Sequence, residues 1–100
     1  MHTILLLQPT SRADSRSYSD YESLKECLEA ICKIYEEFLR KRNPGERVIK
    51  YDIEQLYDFL DKLTDVAILQ LNPATKSYVP HNREWMKEKI FSMLRSQAGQ

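Results

Sequence analysis

His2-Thr3-Ile4-Leu5-Leu6-Leu7-Gln8, closed by Pro9, and Val66-Ala67-Ile68-Leu69-Gln70-Leu71 are the two stretches on which the fold turns. Both are short apolar runs bounded by turn-forming residues, which is how β-strands read. Successive side chains of a strand point to opposite faces of its sheet. In the first run Thr3, Leu5 and Leu7 share one face and Ile4 and Leu6 the other. In the second, Val66 and Ile68 oppose Ala67, Leu69 and Leu71. An antiparallel sheet with one wet face alternates apolar and polar residues. These two strands are apolar on both sides, so both sides need cover.

Working outward, Pro9–Ser15 is polar punctuation, after which Arg16-Ser17-Tyr18 can return as a short second strand. Ser23 with Glu26 fits a capping box. From there Leu24, Cys27, Leu28, Ile31, Tyr35 and Phe38 recur at helical spacing. The other face of this helix places acids four residues before bases, at Glu29–Lys33, Glu36–Arg40 and Glu37–Lys41. Arg40-Lys41-Arg42 suits its C-terminus and Asn43-Pro44-Gly45 ends it. A second helix starts at Asp52, with Gln55 completing a capping box, and turns Leu56, Leu60 and Leu63 inward. Lys76–Val79 reads as a fourth strand stopped by Pro80, and Asn82 caps a last helix to about Arg95, leaving Ser96–Gln100 frayed.

The expected fold class is therefore α+β. A four-stranded antiparallel sheet carries three helices on one face, in the order β-β-α-α-β-β-α, within a single domain over residues 1–100. Three helices in so small a chain shield one sheet face, and a second copy is the simplest cover for the other. We assign this self-contact to Ile4, Leu6, Val66 and Ile68. A self-sufficient monomer with helices straddling both faces is the alternative.

Fifteen bases balance fifteen acids, so no overall field draws the chain to nucleic acid or anionic lipid. Cys27 and Cys32 lie five apart on one helix, about 140° around its axis, and cannot pair with each other. That leaves no disulfide framework; Cys27 suits the core and Cys32 a partly exposed position. No segment reads as a membrane span or signal peptide. The two histidines, His2 and His81, do not form a catalytic set on sequence grounds, and no finger-like ligand spacing suggests zinc. No catalytic residue, metal or cofactor is expected. Glu54, Asp58, Asp61 and Asp65 read as a solvated acidic stripe. Arg40-Lys41-Arg42 with Arg47 and Lys50, and Arg83 with Lys87 and Lys89, are the basic clusters that keep direct RNA or DNA binding open as the alternative function. Acids interleave with them, so association with RNA through partners is the preferred reading.

Several segments together resemble the enhancer of rudimentary homologue family. They are His2-Thr3-Ile4-Leu5-Leu6 with Gln8-Pro9, Asp20-Tyr21-Glu22-Ser23, Ile34-Tyr35-Glu36-Glu37, Tyr51-Asp52-Ile53 with Gln55-Leu56, Asp58-Phe59, and Trp85 with Lys87-Glu88-Lys89-Ile90. The likeness runs nearly end to end. It implies a sheet-mediated homodimer, with Ile4 and Leu6 on the dimer-forming strand. It also implies a non-enzymatic nuclear adaptor, with a cytoplasmic share left open, that docks short segments of RNA-processing and transcription proteins. Gln70 and Leu71 depart from the family pattern, which bears on the contact details of that strand. Candidate partner contacts are His2, Gln8, Arg12 and Arg16 near the first hairpin; Tyr78 and Trp85 are aromatic candidates that also suit core or rim packing. Ser17 and Ser23 precede acids by three residues, and the resemblance marks both as phosphorylation positions.

Overall fold

Both doubly apolar runs become central strands. The computed structural model describes residues 1–98. In it β1 (Thr3–Gln8) lies between β2 (Ser17–Tyr21) and β3 (Asp65–Asn72), and β4 (Ser77–His81) lies beyond β3. Every neighbouring pair is antiparallel. The more polar strands fall at the edges, where side chains have a strand on one side only. Helices α1 (Leu24–Arg42), α2 (Ile53–Lys62) and α3 (Arg83–Ala98) complete the expected order, with a single 3₁₀ turn at Ala13–Ser15 between β1 and β2.

The helices begin where side-chain acceptors meet free backbone donors. Ser23 Oγ accepts the Glu26 N–H at 3.2 Å, while the Glu26 carboxylate accepts the N–H of Glu22 instead of that of Ser23. Asp52 and Gln55 form the full reciprocal capping box. Asn82 Oδ1 accepts the Trp85 N–H at 3.0 Å at the head of α3.

All three helices pack on one face of the sheet. Cys27, Leu28 and Ile31 from α1, Leu56 and Leu60 from α2, and Met86 and Ile90 from α3 bury against Leu5, Val66 and Ile68. The register pairs Leu5 with Ile68 and Leu7 with Val66. Val66 and Ile68, expected at the self-contact, are thus 4% and 0% exposed beneath the helices and belong to the core. The reason is the register: each residue of β1 faces one of opposite parity on β3, so the even-numbered Ile4 and Leu6 share a face with odd-numbered β3 residues.

Local expectations fail at a few other points. β2 runs on to Tyr21, and β4 continues through Pro80, which an edge strand tolerates because its missing N–H costs no ladder bond on the solvent side. α3 continues past Arg95 to Ala98, and the last residues of the expected frayed tail, 99–100, lie outside the described residues. Cys32 is buried. Glu36 accepts the Tyr51 hydroxyl at 3.2 Å, and Glu37 approaches Arg40 at 3.9 Å, in place of the expected four-residue pairs.

Truncating a fully buried side chain removes transfer energy and leaves a cavity. Ile68→Ala is expected to lower unfolding free energy by about 2–5 kcal/mol in urea titration; a loss under about 0.5 kcal/mol would contradict its placement in the core.

Candidate functional site

The face of the sheet away from the helices is the most distinctive surface of the chain. Its side chains follow from the register alone. Ile4 lies between Asp20 and Leu69, and Leu6 between Tyr18 and Ala67. Leu69 in turn faces Pro80, and Leu71 faces Tyr78. An aliphatic strip of Ile4, Leu6, Ala67, Leu69 and Leu71 therefore crosses the centre, each residue half-buried by its neighbours alone. Two tyrosines flank it on the edge strands, Tyr18 at 65% and Tyr78 at 39% exposure. No helix among the described residues covers this strip. A contiguous apolar surface of this kind, rimmed by polar groups, marks an interaction site.

Polar side chains close both ends of the strip. At one end the Leu71 N–H donates to the His2 carbonyl at 3.0 Å, which holds His2 beside β3. The His2 ring then bridges the two edge strands, with Nδ1 2.6 Å from the Tyr78 hydroxyl and Nε2 3.1 Å from Asp20 Oδ2. At the other end Gln8 is buried at 5% exposure. Its Oε1 accepts from Arg16 Nε at 2.8 Å and its Nε2 donates to the Thr10 carbonyl. Arg12 turns away to a bidentate pair with Asp14.

The six partner-contact candidates thus do not form one site. His2 and Tyr78 meet at one end of β1, and Gln8 and Arg16 at the other, about 20 Å away at strand rise. Trp85 sits on the helix side, stacked on His81 with ring centroids 3.6 Å apart. Ser17 lies exposed on the edge strand β2, and Ser23 is the N-cap of α1. Ala67, Leu69, Leu71 and Tyr18 are the residues of the face that sequence reasoning missed. The first three were visible as apolar but could not be matched to Ile4 and Leu6 without the register.

The chemistry available on this face is contact chemistry. The polar side chains at its ends are hydrogen-bonded within the chain, and its centre offers hydrocarbon. Among the described residues no three His, Cys, Asp or Glu side chains gather as a metal would need. No described helix is long and apolar enough to cross a membrane. Burial raises the Cys27 thiol pKa to about 12, which keeps it protonated and unreactive at neutral pH. On the other side of the sheet, His81 Nε2 is buried without a partner. Burial, with the nearby Lys89 charge, holds the His81 pKa below its ordinary value.

Comparison with known proteins bears on the whole chain. The family model described as Enhancer of rudimentary matches residues 1–100. Protein enhancer of rudimentary from Drosophila virilis is 53% identical over 97 residues, covering 97% of this chain and 93% of the relative. The enhancer of rudimentary homolog of Echinococcus multilocularis is 52% identical over 100 residues, with 99% and 98% covered. The Arabidopsis thaliana homolog is 39% identical over 94 residues, with 94% and 86% covered.

The His81 environment sets an acid response. Because its pKa is depressed in the folded state, the unfolded chain binds the proton first, and stability falls as pH drops below the ordinary value of 6.5. His81→Phe keeps an aromatic ring against Trp85 and removes the titration. The fall in Tm between pH 7 and pH 5 is expected to shrink in this variant. An undiminished fall would show that His81 does not carry it.

Proposed function

We propose that this chain, which belongs to the enhancer of rudimentary family, acts as a non-enzymatic homodimeric adaptor in the nucleus. Its dimer docks short segments of RNA-processing and transcription proteins. The observation that carries the reading is the uncovered aliphatic strip of Ile4, Leu6, Ala67, Leu69 and Leu71 between two tyrosine flanks. A second copy placed by a two-fold axis lays the same strip against itself, since isologous contacts are self-complementary.

Magnitudes are of the right order for this occupant. Full burial of an aliphatic side chain contributes roughly 1.5–3 kcal/mol, and about half of that for residues already half-buried. Four such side chains from each of two protomers give roughly 6–12 kcal/mol, the same range as the estimated 4–15 kcal/mol cost of association. Burial of the Tyr18 and Tyr78 rings adds to that sum, and the paired polar ends help decide register. The polar ends also suit a boundary, because a rim that satisfies its own hydrogen bonds loses little when water leaves the centre.

In the dimer the helices face outward on both sides and remain free to hold partners. Phosphate on Ser23 would sit at the N-terminus of α1 and strengthen that cap. On Ser17, at the margin of β2, it would load charge onto the edge of the sheet and disfavour pairing there.

Ile4→Arg and Leu69→Arg, on facing strands of the open side, are each expected to give a folded monomer by light scattering and circular dichroism. Variants that stay dimeric at micromolar concentration would contradict the proposed interface.

A further inference from the structure

A second apolar surface lies on the opposite side of the molecule, between α1 and α2. It is a groove of about 830 Å³, open to solvent. Helical spacing builds it: Ile34 and Phe38 line it from α1, Phe59 from α2, and Leu7 and Pro9 close it at the end of β1. Phe38 and Phe59 meet at 5.1 Å between centroids and rest on buried Tyr35, so the floor is a packed aromatic bed. Ile34, Phe38 and Phe59 are each left half-exposed.

The rim is charged with one sign in excess. Lys33, Lys41, Arg42 and Lys62 stand on it, against Glu37 and Asp58. Glu37 is drawn towards Arg40 at 3.9 Å, outside the groove lining. Asp61, the next acid along α2, is held by Lys87 at 2.7 Å. Among the described residues the four rim cations make no ion pair at all, although the chain as a whole is neutral. Only Arg42 has an internal partner, its guanidinium lying 4.4 Å from the Phe38 ring centroid. A neutral chain that leaves four unpaired cations around one aromatic floor is electrostatically matched to an acidic ligand.

We propose that this groove docks a short acidic segment of a partner protein. Two or three large aliphatic or aromatic side chains enter over Phe38 and Phe59, and flanking carboxylates pair with Lys41, Arg42 and Lys62. The inference rests on the adaptor reading and specifies where, and with what chemistry, a partner binds. Lys33 to Arg42 spans about 13 Å along α1 at helical rise, which fits two turns of an amphipathic helix or about four extended residues. RNA fits less well, because Phe38 and Phe59 pack on one another and on Tyr35 and do not stand as free stacking platforms.

The test uses the full chain as bait for a displayed library of random 12-residue peptides. The same chain carrying Lys41→Glu with Lys62→Glu is the counter-bait; both sites are exposed, and circular dichroism checks that the fold is kept. Selected peptides are expected to be enriched in Asp and Glu beside Leu, Ile or Phe. They are expected to bind at least tenfold more weakly to the reversed variant and to weaken as salt rises. Peptides without acidic enrichment, or binding untouched by the reversal, would overturn the groove assignment while leaving the adaptor reading in place. A library yielding no binder would count against both. Single-stranded oligouridylate that binds the native chain and displaces selected peptides would overturn the peptide proposal in favour of RNA.

Discussion

The structure depends on a mismatch between how much apolar surface the central strands carry and how much of it the helices can reach. β1 and β3 are apolar on both faces, and α1, α2 and α3 all lie on one. The covered face is settled within the chain: Leu5 and Ile68 meet the helices with almost no exposure. Among the described residues the other face has only neighbouring side chains for cover. Hydrophobic burial is the dominant favourable contribution to folding and association, so leaving this face in water forfeits what the same side chains would contribute under a partner. Self-association is the proposed answer to that mismatch, and the outward-facing helices then become the surface on which other proteins dock.

The two faces also differ in polar chemistry. On the open side, the hydrogen-bonded side chains sit at the ends, where His2 links Tyr78 to Asp20 and Gln8 holds Arg16. The His2 bonds tie the two edge strands to one another and the Gln8 bond ties the end of β1 to the start of β2, so they brace the margins while the centre stays hydrocarbon. On the helix side, charge gathers over apolar floors. Lys87 reaches Asp61 and Glu84 across α2 and α3, whereas the groove between α1 and α2 keeps its cations unpaired. One side of the molecule is thus suited to a copy of itself and the other to something acidic.

Much of this was legible in the sequence, because it depends on local pattern. The capping residues Ser23, Asp52 and Asn82, the stripe through Cys27, Leu28 and Ile31, and the doubly apolar strands all follow from residue type and spacing. The element order and the family likeness followed with them. Strand register was not legible. Nothing in residues 66–71 states whether the even or the odd set joins Ile4 and Leu6, and a one-residue slip exchanges the two faces. That single unknown put Val66 and Ile68 on the wrong side and hid Leu69. The groove was equally hidden: Phe38 read as an ordinary stripe residue, Phe59 was placed on no stripe, and the two meet only once α1 and α2 are set side by side. Pro80 misled for a related reason: proline stops a strand only where its N–H is needed, and β4 is an edge.

The face bearing Ile4, Leu6 and Leu69 is proposed to be covered by the same face of a second chain. Isotope-filtered nuclear Overhauser spectroscopy on a mixture of labelled and unlabelled protein tests this most directly. Contacts between protomers are expected from the methyl groups of Ile4, Leu6 and Leu69, and none from Ile68. Absence of any such contact, in a sample sedimenting at the 11.9 kDa mass of one chain, would contradict it.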